Sequence, residues 1–169
     1  MLIQGTRKTR LYLDTSAVSA IDAPHKPADE LATKKFFQYV KEHADEYELV
    51  ASPVLRLEIA NCPEPKRSMM YDFLADLDTI EATETTEVFT LADAYVQGGV
   101  LGVKHIRDLT HTAYAVVNRC DYIISWNFEH FVNAKIMSRV NNINRFYNYR
   151  DIIIITPTII IGGNTHDPD

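Results

Sequence analysis

At 169 residues the chain is long enough to bury a core without disulfides or a structural metal, and one domain over residues 1–169 with a flexible tail from about residue 162 is expected. Its residues are 46% hydrophobic and 24% charged, which excludes a disordered or fibrous chain. A net charge of −6 argues against binding nucleic acid through a broad basic face, but not against binding through a cation held by converging acids, because such a cation cancels part of the negative charge locally. Cys62 and Cys120 lie far apart and outside any CxxC or Cys/His spacing, which leaves zinc unsupported and fits a reducing compartment. The apolar stretch behind Arg7, Lys8 and Arg10 and the run over 152–161 are both too short to span a membrane, so a soluble, cytoplasmic protein with no membrane partner is expected.

The first strand is predicted at Leu11-Tyr12-Leu13, followed by a helix marked by Leu31, Phe36 and Val40 and a second strand at Leu49-Val50-Ala51. Ser52-Pro53 places a capping residue before a proline at the first helical position, so a helix starts there and must stop or bend before Pro63. Met69, Met70, Phe73, Leu74 and Leu77 mark the next helix, and Thr79-Ile80-Glu81 a weak third strand. Thr86–Gln97 reads as an amphipathic helix closed by Gly98-Gly99. A helix over 108–119 then leads to Tyr122-Ile123-Ile124, and a fifth strand follows at Ile152-Ile153-Ile154-Ile155. The last two are continuous apolar runs, as strands covered on both faces require. Short β-rich runs alternating with longer helical ones predict an α/β fold, three layers α/β/α around a central, mainly parallel sheet of about five strands.

In such a sheet the functional crevice lies outside the carboxyl ends of the strands. Asp14 comes directly after the first strand, Glu58 lies in the first turns of the helix after the second, Asp108 opens the helix before the fourth, and Asn127 comes just after the fourth. Four oxygen-bearing side chains can therefore reach one edge of one sheet, the kind of shell that hard cations such as Mg²⁺ or Mn²⁺ take. Each acid has a plainer reading, since an Asp after a strand or at a helix start is often only a cap. Glu58, however, is flanked by Val54, Leu55, Leu57 and Ile59, and a carboxylate on so apolar a helix needs a reason.

Four segments carry a family resemblance: Leu11-Tyr12-Leu13-Asp14-Thr15-Ser16-Ala17, Arg56-Leu57-Glu58-Ile59-Ala60, Arg107-Asp108-Leu109-Thr110-His111-Thr112-Ala113-Tyr114-Ala115, and Cys120-Asp121-Tyr122-Ile123-Ile124-Ser125-Trp126-Asn127-Phe128-Glu129-His130-Phe131. Together they resemble the successive motifs of PIN domains, among them the VapC-type toxin ribonucleases, over about 11–157. The resemblance implies a Mg²⁺- or Mn²⁺-dependent endoribonuclease in which Asp14, Glu58 and Asp108 bind the metal and Asn127 completes the catalytic pocket. It also implies that Ser16 orients the first Asp or a metal-bound water. An RNA substrate, an antitoxin protein of a type II toxin–antitoxin pair and a homodimer are the partners it implies. Asn127 departs from the more acidic pattern; it brings no charge, so one firm metal is expected, with a second arriving only with substrate.

The metal would lower the pKa of a bound water, polarise a phosphoryl oxygen and orient in-line attack. Lys104, His105 and Arg107 form the best local basic patch for an RNA backbone, with a solvated surface loop as the plainer reading, and His111, three residues beyond Asp108, is a candidate substrate contact, although such a histidine is more often simply a packed or surface residue. Trp126 could stack a base or belong to the core. A dehalogenase-like phosphatase would need an Asp where Ser16 stands, and a Gly-rich phosphate loop is absent. The remaining alternative is a PIN-fold module that binds RNA or protein with little or no cleavage, which Asn127 favours and the three acids oppose.

Overall fold

A computed structural model describes residues 7–127 and 133–162. The tail beyond residue 162 and the 128–131 part of the last motif lie outside those residues. In chain order the elements are β1 (Thr9–Leu13), α1 (Thr15–Ser19), α2 (Pro27–Glu42), β2 (Tyr47–Ala51), α3 (Pro53–Ala60), α4 (Lys66–Asp76), β3 (Thr79–Glu81) and α5 (Thr86–Gln97). A 3₁₀ turn (Val103–His105) then leads into α6 (Ile106–Val117), β4 (Tyr122–Ile124), α7 (Ala134–Phe146), β5 (Ile153–Ile155) and α8 (Pro157–Gly162).

The strands form one sheet in the order β3-β2-β1-β4-β5, and every pairing is parallel. Alternation along each strand divides the core between the two faces. Leu11, Leu13, Leu49, Ala51, Ile124 and Ile155 pack with Val18, Phe36, Leu55 and Met70 from α1 to α4. Tyr12, Val50, Ile123 and Ile154 pack with Leu91, Leu109 and Val140 from α5, α6 and α7. The architecture is thus three layers, α/β/α, as expected, with the sheet wholly rather than mainly parallel. No helix among the described residues is long and apolar enough to cross a membrane.

Some boundaries differ from expectation. The helix expected over 108–119 runs Ile106–Val117, because Arg119 adopts a left-handed φ of 57° and the Cys120 amide turns back to the Ala115 carbonyl at 2.8 Å. The exposed carbonyls at this end take arginine donors: Arg10 on Asn118 at 3.0 Å, and Arg7 and Arg150 on Arg119 at 3.3 and 3.0 Å. Cations there complement the negative end of the helix and fix α6 against the sheet. Leu31, counted toward the buried face of α2, is 56% exposed; Thr33, Phe36, Phe37 and Val40 make that face. Three helices escaped the sequence reading. α1 has five residues and α8 six, and α7 buries only Ile136, Val140 and Asn144.

Candidate active site

From β1 the chain builds outward through β2 and β3 on one side and places β4 and β5 on the other. The direction reverses between β1 and β4, so a crevice opens where their carboxyl ends diverge. Asp14 stands at that point, directly after β1 and only 5% exposed. It caps α1 as well: Oδ2 accepts the Ser16 amide at 3.4 Å. The same oxygen accepts the hydroxyls of Ser16 and Ser125, the latter at 2.8 Å. Asp14 is therefore a cap that also stands at the crevice, with one oxygen held and Oδ1 accepting no hydrogen bond among the described residues.

Glu58 reaches the same edge from the second turn of α3, a helix capped by Ser52 through the Leu55 amide at 3.2 Å. Asp108 comes from the first turn of α6. His111, one turn further along α6, joins them: its Nε2 lies 2.8 Å from Glu58 Oε1 and 3.7 Å from Asp14 Oδ1. Its Nδ1 lies 2.6 Å from the Tyr12 hydroxyl.

The electrostatics follow from this crowding. Burial raises the Asp108 carboxyl, and the charges of Asp14 and Glu58 raise it further against the pull of His111 and His105. Burial also opposes ionisation of Glu58, yet the hydrogen bond and charge of His111 outweigh it, leaving Glu58 below its ordinary value. For His111 burial acts downward, and the hydrogen bond to Glu58 with the charges of Asp14, Glu58 and Asp108 carries the net shift upward.

The donor chemistry fits a hard divalent cation: three carboxylates from three elements, with an open oxygen on Asp14 and a carboxyl on Asp108 made uncomfortable by its neighbours. Among the described residues no three His, Cys, Asp or Glu side chains already stand in a closed ligand cluster. Cation ligation would thus draw together groups that are close but not locked.

The other sequence candidates fall as follows. Ser16 Oγ holds Asp14 and accepts the Trp126 amide at 2.9 Å. Asn127 is half-buried beyond β4, its amide on Ser125 Oγ at 3.0 Å. Lys104 and Arg107 are exposed beside the site, and the positive charge of Arg107 acts on Glu58. Trp126 is half-buried and donates its indole N–H to Thr33 on α2 at 2.8 Å, which leaves it tied to the scaffold. His111 is fully buried with both ring nitrogens engaged, so its place is beneath the carboxylates rather than on a substrate-facing surface. Ser125, Tyr12 and Ser52 were not singled out for the site. A hydroxyl directly after a strand was a signal for Ser125; nothing local marked Tyr12.

No family model matches the chain, and no curated protein matches it. Among solved structures it is similar to a chain of the VapBC2 complex from Rickettsia felis, solved bound to a DNA fragment from the promoter. The TM-score is 0.52 at 11% sequence identity, over 88% of this chain and 98% of that one. At this identity the likeness is one of fold, and the five-stranded parallel α/β/α architecture is consistent with the PIN-like arrangement that the four sequence segments imply.

Proposed function

We propose that the protein is a Mg²⁺- or Mn²⁺-dependent ribonuclease that hydrolyses RNA phosphodiester bonds. The observation that carries this reading is that His111 Nε2 lies 2.8 Å from Glu58 and 3.7 Å from Asp14, with Asp108 one turn earlier on the same helix, which puts three carboxylates from distant segments near the β1/β4 crevice. Asp14, Glu58 and Asp108 would hold the cation. A cation bound there would lower the pKa of water, polarise a phosphoryl oxygen and orient in-line attack. Ser16 and Ser125 fix the Asp14 carboxylate, and Asn127 would add a neutral oxygen at the edge of the pocket. Lys104 and Arg107 would meet the RNA backbone as point charges from the exposed side. The likeness to a VapBC2 chain supports a finer reading in which the chain is the toxin of a type II toxin–antitoxin pair, working as a homodimer and restrained by an antitoxin protein.

The test combines binding with cleavage. A cation that binds only the folded state stabilises it, by about 2.7 kcal/mol at a hundred times its Kd, so Mn²⁺ should raise Tm. Asp14→Asn keeps shape while removing charge, and should abolish cleavage of total RNA with the fold intact by circular dichroism. Wild-type protein that shows neither a Tm rise nor cleavage in millimolar Mn²⁺ would sink the nuclease reading and leave a binding module, which the neutral Asn127 would suit.

A further inference from the structure

Beneath the carboxylates runs a buried polar chain that phosphodiester cleavage does not by itself use. Ser52, Tyr12 and His111 are each fully buried and come from the cap of α3, from β1 and from α6. Ser52 Oγ accepts the Leu55 amide at 3.2 Å and lies 2.6 Å from the Tyr12 hydroxyl, which lies 2.6 Å from His111 Nδ1. His111 Nε2 then meets Glu58 Oε1 at 2.8 Å, with the Thr15 hydroxyl 3.4 Å away. Tyr12 belongs to the apolar cluster of Val50, Leu109 and Ala113. Placing a polar relay in that layer costs desolvation that apolar residues of the same size would avoid, and the relay is tolerated because every member is partnered.

Its hydrogens have two self-consistent arrangements. An ionised carboxylate only accepts, so the hydrogen between Glu58 and His111 belongs to Nε2. Either Ser52 donates to Tyr12 and Tyr12 donates to Nδ1, or Nδ1–H donates to Tyr12 and Tyr12 donates to Ser52. Nε2–H points at Glu58 in both, whatever the charge on the ring.

We infer that His111, steered by Tyr12 and Ser52, is a positioning residue that holds Glu58 on the Asp14 side of the crevice, so that the carboxylates stand close, though not in a closed cluster, before a divalent cation draws them together. This rests on the metal-dependent reading proposed above. Asp108 lies one turn before His111 on α6, so a single buried ring links the helices that carry two of the acids and faces the third. Without that donor Glu58 is a half-buried carboxylate facing another negative charge, and repulsion would turn it away. Partners behind metal ligands commonly matter by about 10- to 100-fold in metal affinity.

The experiment measures Mn²⁺ binding by titration calorimetry on wild type, His111→Leu, His111→Gln and Tyr12→Phe, with Tm in EDTA and cleavage as functions of Mn²⁺ and RNA. His111→Leu should bind Mn²⁺ about 10- to 100-fold more weakly, with cleavage recovering toward wild type at saturating Mn²⁺ and the KM for RNA unchanged. His111→Gln, whose amide can still donate to Glu58, should restore most of the affinity. Tyr12→Phe, which removes one oxygen and frees the imidazole orientation, should fall between, and it carries the test should His111→Leu not fold. Mn²⁺ affinity unchanged in both His111→Leu and Tyr12→Phe, or a change confined to the KM for RNA, overturns the inference. So does equal loss in the Gln and Leu variants with a matching fall of Tm in EDTA, which would mark packing alone. Wild-type protein that binds no Mn²⁺ would instead overturn the metal-dependent reading itself.

Discussion

Asn127 is the residue on which the character of the site turns. It is half-buried just beyond β4, next to the Ser125 hydroxyl that holds Asp14, and it brings an amide where a fourth acid could stand. Asn127→Asp would add an anion to a cluster in which Asp108 is already raised by burial and by Asp14 and Glu58. In EDTA the variant should melt lower than wild type, since a further like charge is repelled. In Mn²⁺ it should melt higher, since under the proposed reading the added carboxylate would be a ligand. Opposite signs in the two buffers are the expected signature; parallel melting curves would put Asn127 outside the site. Asp108 itself predicts a direction with pH. Its folded pKa lies above the unfolded value of 3.8, so the folded state binds the extra proton and the metal-free protein loses stability as pH rises from 3.8 through the raised value. Asp108→Asn should remove that component of the Tm profile in EDTA, and a profile identical to wild type over this range would contradict it.

At the scale of elements, α7 shows how a helix whose apolar stripe is narrow is held to the sheet by polar groups as well. Its Asn141 side chain donates to the Ile152 carbonyl at 2.9 Å and accepts the Ile152 amide at 2.8 Å, pairing with the residue just before β5 as a neighbouring strand would. Its Asn144, fully buried, donates to Asn141 at 3.1 Å and accepts the Tyr95 hydroxyl of α5. Asn141→Ala strips both partners from a backbone that is 1% exposed at Ile152. Each orphaned group costs about 1–3 kcal/mol, so a loss of about 2 kcal/mol or more is expected in urea unfolding. The variant should keep the wild-type rise of Tm with Mn²⁺, because α7 supplies none of the three acids. A loss below about half a kcal/mol would mean that water replaces the amide without penalty. Ile136, Met137, Val140 and Ile143 recur at helical spacing and mark α7 in the sequence, whereas the asparagine clasps are visible only in the fold.

At the scale of the whole molecule the packed layers govern chemistry far from the crevice. Cys120, 4% exposed at the start of the β4 segment, has its thiol pushed up to about 12 by burial. Below the unfolded value of 9.0 both states keep the proton, and no stability depends on it; between 9.0 and about 12 only the unfolded thiol ionises, so stability falls with rising pH. The slope from this one group approaches about 1.4 kcal/mol per pH unit, and Cys120→Ala should remove that part of the wild-type dependence. Iodoacetamide at pH 9 should leave native Cys120 unmodified and label it on unfolding; rapid labelling of the native protein would contradict the packing described. What the sequence by itself determined was local. Strand runs, the Ser52-Pro53 helix start and the Gly98-Gly99 stop follow from backbone propensities and solvent pattern, which act over a few residues, and they placed Asp14, Glu58 and Asp108 each beside an element end. That these ends meet was decided by the strand order, which sets β1 between β2 and β4. Only the tertiary structure brought Tyr12 to His111 across 99 residues and Ser125 to Asp14 across 111. Such contacts depend on which side chains two packed layers bring face to face, and no spacing along the chain encodes that.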